Sequence, residues 1–580
     1  MISLKFLTVF LYALLISQNY AAGISDSSLD YQKYIKFHWK GDVTSHSLTM
    51  KIFPNNEELQ KEEYNSFLVL YTKSSSQAFH IIKTVRIEFP QETYSVAQLD
   101  IKDLTPNTDY HYSFVFTKAE ELDAKTVGKL IQEDKKRSDF TFKTFSPELT
   151  PASFTFGAAS CARSGSNSPV FNSLTDEKFN FFLQNGDLHY DDVAVDNVTK
   201  FYEAYYKVFS SPNQRRFYES TPIYYVWDDH DFGPNDADGN SPSKPAATSA
   251  YNKFVPHSPL KNVGLTQTNE ISKLEEILNE TPFGIFRSFV VGRCMFIVLD
   301  LRSFLEVKPG EILGENQEKW LEHQIHIAGA TKEIKQVFIV ESIPWIFNGG
   351  LTFEENVWSN YIPTKQKIAK LIEENLYKNN KKVMMIGGDA HMLGFDDGRN
   401  NAFGGFPVVQ AASLDQKPNC KGGPYSHGGK PGRGQYGVIE VVDNGGETVC
   451  VKIDLKSEGE SVIKYDTCHP ELYPSTKSFK CHPSWTDFTL ILVSSLVGII
   501  VLGGLIVYIW RKAKQPKNVV RNRINIKYSG LEEEEDGRSF EMKENQSFEE
   551  LDQSIEIKIG SNISKRKGSS GSKSSAMKGD

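Results

Sequence analysis

Four short apolar runs of the sequence each end in residue types that bind metals or move protons. A buried strand that ends in carboxylates and imidazoles places them at the carboxyl edge of a sheet, where α/β folds carry their sites. A single strand that ends in such residues is common at turns, but four strands that end in this way predict one site built from several loops. The runs and their following residues are Phe154–Phe156 with Cys161, Phe179–Leu183 with Asp187 and Tyr190, Ile223–Trp227 with Asp228, His230 and Asn235, and Val383–Ile386 with Asp389 and His391.

The donor types in these clusters indicate a site for two or more cations. Oxygen donors from Asp, Asn and Tyr suit hard cations, whereas a thiolate and a phenolate suit ferric iron or another transition metal. The closely paired cysteines or histidines of a structural zinc site are not present at these positions. Two adjacent cations can activate water, hold a phosphoryl group and stabilise charge on the attacking and leaving oxygens.

The elements that position these residues follow an α/β rhythm over residues 150–455. Apolar runs of four to seven residues, which predict buried strands, alternate with helical patterns such as Gly314–Ala328 and Lys365–Tyr377. This alternation predicts an α/β domain with buried sheets.

Residues 31–147 have a different pattern, which predicts a small all-β sandwich. Strands are expected at His46–Phe53, Ser66–Thr72, Ile82–Phe89 and Asp109–Phe116. The run at 104–112 resembles a fibronectin type III corner, and Phe140–Thr144 would be the closing strand.

The blocks at 186–190, 227–231 with Asn235, and 388–391 resemble those of PhoD-like metallophosphatases, the alkaline phosphatase D family. Asp300-Leu301-Arg302 and the group Leu313-Gly314, Gln317, Trp320 and Leu321 also resemble that family. The resemblance covers roughly residues 30–455. It implies a calcineurin-like four-layer metallophosphoesterase core behind the sandwich domain, and hydrolysis of a phosphomonoester or phosphodiester by metal-activated water.

The same resemblance implies roles for individual residues. Cys161, Asp187 and Tyr190 would hold a ferric ion. Asp187 would bridge to calcium or another divalent cation, which Asp228 and Asn235 also bind, and Asp389 would complete the cluster. His230 and His391 would lie near the phosphate, either as ligands or as proton donors. Asp231 stands where many relatives carry glutamate.

Other polar residues near these blocks have two interpretations. Arg163 and Arg302 are candidates for binding an anionic substrate. Asp191, Asp192 and Asp196 are either cation ligands or a solvated acidic loop, and the second interpretation is preferred. Trp227 and Phe232 are expected to pack, and His323 and His326 to lie at the surface or core edge of a helix.

The two ends of the chain predict a single-pass type I membrane protein. Residues 1–22 have the pattern of a signal peptide, and the uncharged segment Phe488–Trp510 has the length of a transmembrane helix. The cations that follow it predict a cytosolic, disordered tail at 511–580 and a catalytic domain outside the cytosol, at the plasma membrane or an endolysosomal or secretory membrane. In the tail, Tyr528–Leu531 matches a motif for sorting adaptors, although chance is the preferred interpretation.

The cysteines and sequons agree with that topology. Cys420, Cys450, Cys468 and Cys481 cluster late in the chain, with the last two in a juxtamembrane segment at 456–487, and we expect two bridges among the four. Cys161 is expected to be an unbridged metal ligand and Cys294 a small buried hydrophobic residue. Asn197 and Asn279 begin glycosylation sequons.

Bulk charge excludes one function class and leaves two open. The 580 residues carry a formal net charge of -8, which gives no case for nucleic-acid binding. The alternative to a phosphoesterase is a non-catalytic surface receptor or adhesion protein with a relic metal site. The complete ligand set favours the enzyme.

Overall fold

A computed structural model describes residues 27–74, 79–92, 94–133, 138–257, 284–306, 310–347, 357–475 and 485–514. The chain divides into two compact units, Met1–Leu492 and Val493–Asp580. The predicted signal peptide, Asn279, Cys481, Tyr528–Leu531 and most of the predicted tail lie outside the described residues.

The first part of the chain forms antiparallel sheets. Its strands are β1 (Ser27–Ser28), β2 (Ile35–Gly41), β3 (Leu48–Pro54), β4 (Asn65–Lys73), β5 (Phe79–Ile87), β6 (Ala97–Ile101), β7 (Asp109–Thr117) and β8 (Phe140–Lys143). One sheet has the order β1-β7-β4-β5 with β8 paired to β7, and the other has the order β2-β3-β6. The strands expected from alternation are present, and the fibronectin type III likeness stays a prediction.

Two larger mixed sheets follow. Their strands are β9 (Phe154–Ala159), β10 (Phe181–Asn185), β11 (Ile223–Val226), β12 (Arg287–Val291), β13 (Cys294–Val298), β14 (Gln336–Val340), β15 (Lys382–Gly387), β16 (Met392–Asp396), β17 (Val408–Ala411), β18 (Gly429–Pro431), β19 (Gln435–Val442), β20 (Cys450–Ser457) and β21 (Glu460–Asp466). The six-stranded sheet has the order β11-β10-β9-β19-β20-β21, and the seven-stranded sheet has the order β12-β13-β14-β15-β17-β16-β18. The expected α/β class with buried sheets is confirmed.

Helices accompany both groups of sheets. They are α1 (Tyr31–Tyr34), α2 (Asn56–Glu62), α3 (Ala124–Glu133), α4 (Val170–Asp176), α5 (Val198–Ser210), α6 (Pro212–Ser220), α7 (Asp229–Phe232), α8 (Lys244–Phe254), α9 (Gly314–Ala330), α10 (Ile362–Leu371) and α11 (Trp485–Lys514). A π-helical turn at Ile372–Leu376 extends α10, and 3-10 turns lie at Trp358–Asn360, Tyr377–Asn379 and Pro470–Leu472. The helical patterns expected at Gly314–Ala328 and Lys365–Tyr377 therefore correspond to α9 and to α10 with its extension.

Phenylalanines from both large sheets pack in the core between them, face to edge across the two sheets and stacked between Phe296 and Phe338 within one sheet. The Phe296 ring of β13 lies 5.2 Å from that of Phe156, 5.4 Å from Phe181 and 4.8 Å from Phe338, measured between centroids. All four side chains are fully buried. Because aromatic pairs at these distances add to the free energy of burial, this cluster fixes the spacing of the two sheets.

The prediction of a single-pass type I membrane protein is wrong. No helix among the described residues is long and apolar enough to cross a membrane.

The cysteines are arranged as expected. Cys450, at the start of β20, forms a disulfide with Cys468, just beyond β21. Cys420 is also disulfide-bonded. Cys161 and Cys294 are free thiols, and both are buried. The prediction that Cys161 is unbridged is confirmed.

We expect Phe296→Ala to lower the free energy of unfolding by about 3–5 kcal/mol, because the lost ring leaves a cavity in a fully buried part of the core. Urea unfolding of the full chain would measure the change. Val462→Ala is the control, since Val462 lies on β21 with 37% of its surface exposed. A loss below about 1 kcal/mol in Phe296→Ala would contradict the assignment of this cluster as the centre of the core.

Candidate metal centre

The carboxyl ends of strands from both large sheets meet at one place. β9, β10 and β11 are parallel neighbours in one sheet, and β13, β14 and β15 are parallel neighbours in the other. Asp228 follows β11 and Ser342 follows β14, and the Ser342 hydroxyl donates to Asp228 Oδ1 at 2.9 Å. The expected composite site therefore lies where the two sheets join, and it draws on both.

Two glycines allow the strand-end loops to approach this closely. A Cβ on Gly388 would lie 2.5 Å from the Asn185 carbonyl oxygen and 2.8 Å from that of Ser342. A Cβ on Gly186, which has φ +96°, would lie 2.5 Å from the Asp228 Cβ. Glycine is required at both positions because any side chain would push the loops apart.

Several candidate ligands hold strained backbone conformations. Cys161, Asp187, Asp389 and His391 have φ values of +63°, +52°, +60° and +50°. Residues with a Cβ rarely adopt this left-handed region, and such strain concentrates at functional sites.

Two groups of side chains offer donor atoms to a cation. In each group, the donor atoms all lie within 4.8 Å of one another: Cys161, Asp187 and His391 form one group, and Asp187, Asp229 and His230 form the other. Asp187 belongs to both, as a bridging carboxylate must. Asp187 Oδ1 and Asp228 Oδ2 are buried and have no hydrogen-bond partner among the described residues. Because a buried unpaired carboxylate oxygen is costly, the donor set fits bound cations.

Tyr190 links the two donor groups. Its hydroxyl donates to Asp187 Oδ2 at 2.5 Å and lies 3.1 Å from His391 Nε2. Its ring centroid lies 4.0 Å from that of His230. The phenol oxygen therefore lies between Asp187 and His391.

Arg302 and Ser342 hold the Asp228 carboxylate. Arg302 Nε donates to Asp228 Oδ1 at 2.5 Å, and its Nη2 lies 3.7 Å from Asp229 Oδ1. Only 3% of the Arg302 side chain is exposed. The interactions on Oδ1 leave Asp228 Oδ2 as the oxygen available to a cation.

Asp300 fixes the turn that carries Arg302. Its Oδ1 accepts from the Trp227 indole N–H at 2.9 Å, and its Oδ2 accepts from the Ser303 hydroxyl at 2.6 Å. The Gln317 amide donates to the Asp300 carbonyl oxygen at 2.8 Å. These bonds give a structural role to the motif around Asp300 and to Gln317 on α9.

Asp231 joins two of the ligand loops. Its Oδ1 accepts from the His189 backbone N–H at 3.0 Å, and its Oδ2 accepts from the Asp228 N–H at 3.2 Å. One carboxylate thus fixes the loop after β10 against the loop after β11. Both of its oxygens are used by backbone amides, so Asp231 positions ligands rather than binding a cation.

Comparison with known proteins assigns this part of the chain. Residues 156–399 match the family model of the PhoD-like phosphatase. The chain carries a PhoD-like phosphatase domain. The family model is described as that of a phosphatase, which is a phosphoric ester hydrolase.

The chain is similar to solved structures. The structure described as PhoD is 17% identical and has a TM-score of 0.55, with 78% of this chain and 93% of that chain covered. The chain also matches the purple acid phosphatase PPD1 from yellow lupin (Lupinus luteus) seeds, at 9% identity, a TM-score of 0.46 and 77% coverage of each chain. No curated protein sequence matches the chain significantly. The likeness to PhoD shows a shared fold.

Burial and neighbouring charges shift the pKa values of the acids in the PhoD-like domain. Burial raises the pKa of Asp187 well above its usual value, against the effect of His230. Burial also raises the pKa of Asp228 to about 6, although Arg302 opposes the shift. Burial would raise the pKa of Asp229, but Arg302 and His230 outweigh it and lower that pKa to about 2. The pKa of each of these carboxyl groups is thus shifted from its ordinary value, as is typical of functional sites.

The cationic and thiol groups respond to the same surroundings. Burial would lower the pKa of His230, but Asp187 and Asp229 outweigh it and raise that pKa to about 9. Burial, with Asp187 and Asp389 adding to it, raises the pKa of the Cys161 thiol well above its usual value. A cation bound beside Cys161 would act in the opposite direction, since a coordinated thiol is deprotonated.

Some residues predicted for the site lie at its edge. Asn235 is exposed, and its amide donates to Asp236 Oδ2 at 2.5 Å. Asp389 is buried and accepts a bond from Lys421 Nζ at 3.1 Å. Arg163 is half-exposed on the loop after Cys161, while Arg302 is enclosed against Asp228.

The remaining predicted residues have structural positions. Trp227 and Phe232 are buried and pack against each other, with ring centroids 5.0 Å apart. Asn197 caps helix α5 and is exposed. His326 is exposed on α9 and His323 is half-buried there. Cys294 is fully buried in β13, as expected for a small hydrophobic residue.

The structure adds site residues that sequence analysis missed or assigned to another role. Asp192, which was expected to lie in a solvated acidic loop, bonds His230 Nδ1. The Ser160 hydroxyl accepts from the Asp389 backbone N–H at 3.0 Å. Ser342 and Lys421 also contact candidate ligands. The position of Ser160 next to Cys161 could have indicated its place in the site. Lys421 lies 32 residues beyond Asp389, in a segment with no motif of its own.

We expect Gly388→Ala to disrupt the metal centre, because its Cβ would displace the loop that carries Asp389. Hydrolysis of p-nitrophenyl phosphate and total bound metal would both fall at least about tenfold, a loss of ~1.4 kcal/mol or more. Gly446→Ala is the matched control, since a Cβ there would meet nothing within 4 Å. Equal metal content and activity in the two variants would show that this close approach is not needed.

Proposed function

We propose that the PhoD-like domain hydrolyses phosphomonoesters or phosphodiesters at a multinuclear metal site. The observation that carries the proposal is a pair of buried carboxylate oxygens, Asp187 Oδ1 and Asp228 Oδ2, that have no hydrogen-bond partner in the part of the chain that the structure describes. Asp187 also shares a donor group with Cys161 and His391. Two such carboxylate oxygens at the point where strand ends meet form a site that suits the binding of cations.

In this proposal, each side of the site has its own donors. Cys161, Asp187 and Tyr190 hold a ferric ion, and His391 lies within reach of it. Asp187 and Asp228 hold a divalent cation such as calcium, with Asp389 and Asn235 completing the site. The thiol and phenol suit the ferric ion, and the carboxylate and amide oxygens suit the divalent cation.

The bound cations would supply an activated water and positive charge at the phosphorus, as in other two-metal phosphoesterases. The chain supplies orientation and protons. Asp192 holds His230 Nδ1, which fixes the imidazole ring and leaves Nε2 for proton transfer to a leaving oxygen. Tyr190 and His391 share a hydrogen bond across the site, which positions His391 for the same task or for ligation.

Asp231, Arg302 and Ser342 would position the ligands without touching the substrate. Arg302 and Ser342 occupy Asp228 Oδ1, and Asp231 fixes the backbone on both sides of the site. These bonds would hold the ligands in place before a substrate binds. A phosphate ester is the proposed partner of the site.

We expect Asp187→Asn to lower kcat by at least a hundredfold, because the neutral amide removes the bridging charge while the fold survives. Turnover of p-nitrophenyl phosphate and of bis-p-nitrophenyl phosphate would be measured, together with circular dichroism. Asp196→Asn is the control, since Asp196 is exposed on the neighbouring loop. Near-wild-type hydrolysis by folded Asp187→Asn protein would remove Asp187 from the centre.

We expect Cys161→Ser to lose tightly bound iron, because serine does not supply the soft thiolate that selects a transition metal. Elemental analysis of the purified protein gives the iron content per chain. Cys294→Ser is matched to it, since both cysteines are buried free thiols. Unchanged iron in Cys161→Ser would leave an oxygen-dominated site, which better suits purely divalent cations.

A further inference from the structure

A groove lies beside the metal centre, and two arginines line it. Its volume is about 790 Å³, within the range of sites that enclose small-molecule ligands. The residues of interest on its walls are Arg163, Ser166, Asp415, Arg433 and Glu458. None of the steps proposed for the metal centre uses this groove.

The groove begins at the candidate ligands. Arg163 stands two residues after Cys161, so their Cα atoms are at most ~7.6 Å apart. The Ser164 hydroxyl, on the same wall, accepts a hydrogen bond from the Tyr190 backbone N–H at 2.8 Å. One wall of the groove is therefore formed by the loop that follows Cys161 and that bonds the backbone of Tyr190.

The loop that carries Arg163 is held rigidly. Its backbone N–H donates to Asp415 Oδ1 at 2.6 Å, and its carbonyl oxygen accepts from the Gln214 amide at 3.2 Å. Gln214 also accepts from the Ser166 N–H at 2.7 Å. Asp415 and Gln214 are buried. Buried partners on several sides preorganise the loop before any ligand arrives.

The Arg163 side chain remains available although its backbone is fixed. Its exposed fraction is 55%, and its Nε lies 3.6 Å from Asp415 Oδ2, beyond hydrogen-bond distance. Asp415 Oδ2 is buried and has no hydrogen-bond partner in the described part of the chain. The carboxylate thus orients the guanidinium by charge and leaves its N–H groups for a second acceptor.

Arg433 reaches the groove from a segment tied to the same loop. The N–H of the next residue, Gly434, donates to the Leu414 carbonyl oxygen at 2.8 Å. Leu414 in turn donates its N–H to the Ser160 carbonyl oxygen at 2.9 Å. Arg433 is exposed, and so is Glu458, the one exposed carboxylate among the described lining residues.

We propose that this groove is a subsite for a second phosphate group, carried by the substrate a few bonds beyond the phosphorus that is cleaved. Arg163 and Arg433 bind that group through their guanidinium forks, a geometry that suits phosphate oxygens. The inference rests on the proposed phosphoesterase function and narrows its substrates to phosphate esters with two anionic phosphates. Glu458 weakens the binding by repulsion.

The test compares two substrates that differ only in the second phosphate, propane-1,3-diol monophosphate and propane-1,3-diol bisphosphate. The metal-loaded wild-type chain is expected to have a KM about tenfold lower for the bisphosphate. In Arg163→Gln and Arg433→Gln, the ratio of the two KM values should approach one. Arg163→Lys should keep part of the preference because it keeps the charge, and Glu458→Gln should increase it.

Arg399→Gln is the matched control. Its side chain is 54% exposed and pairs with Asp397, much as Arg163 faces Asp415. Arg399 follows β16, which runs antiparallel to β17 and so ends at the edge of the sheet opposite the metal centre. The KM ratio should be that of the wild type in this variant. A wild-type enzyme without preference, or an unchanged ratio in both Arg163→Gln and Arg433→Gln, would overturn the subsite.

Direct binding separates failure of the subsite from failure of the proposed function. If the wild-type chain hydrolyses neither compound and neither of the two p-nitrophenyl esters, the phosphoesterase proposal fails, and calorimetry with the bisphosphate then decides on the groove. Binding about tenfold tighter in the wild type than in Arg163→Gln would support the subsite. Equal binding in the two proteins would reject it.

Discussion

The concentration of buried carboxylates at one junction of two sheets constrains the rest of the structure. Asp187, Asp228, Asp229 and Asp231 are all buried within a short distance of one another. Two unit charges 4 Å apart repel by about 4 kcal/mol at an effective dielectric constant of 20, so such a cluster needs opposing charge. Arg302 and His230 supply part of it, and cations would supply the remainder.

Several elements around this junction hold the carboxylates close together although they repel one another. Strands from two sheets end there, and glycines at positions 186 and 388 let the loops approach. The phenylalanine cluster holds the sheets at the required spacing, and Asp300 holds the turn that delivers Arg302. Positive φ angles at Cys161 and Asp187 are a local cost of the same arrangement.

The sequence predicts the strand ends well because local signals determine them. The apolar run before Asp187 and the glycine beside it are contiguous, so their pattern indicates both the strand and the turn. Contacts between distant segments have no such signal. The bond between Ser342 and Asp228 joins residues 114 positions apart, and Arg302 is 74 positions from Asp228. The motif around Arg302 was visible, but its enclosed position against a ligand depends on how the two sheets pack.

The transmembrane prediction failed for a related reason. An uncharged run is a local signal, but it does not correspond to a helix among the described residues that is long and apolar enough to cross a membrane. By contrast, the disulfide pattern followed from a simple count, because assigning Cys161 to the metal centre and Cys294 to a buried strand left the four late cysteines as a set. A local pattern is thus reliable where it specifies a turn or a short strand, and weaker where it is used to predict a whole membrane-spanning helix.

Contacts between the amino-terminal sheets and the phosphatase domain bear on the alternative of a receptor with a separate adhesion module. The Tyr31 hydroxyl donates to Glu219 Oε1 on α6 at 2.5 Å and lies 2.9 Å from His38 Nδ1. The Trp39 indole N–H donates to the Phe254 carbonyl oxygen at 2.8 Å, and these groups are buried. Unpairing buried polar groups costs roughly 1–3 kcal/mol each, so the sheets do not separate freely from the catalytic domain. The amino-terminal sheets therefore act as part of the enzyme's scaffold, because their inner side chains complete the same core that supports α6 and α8.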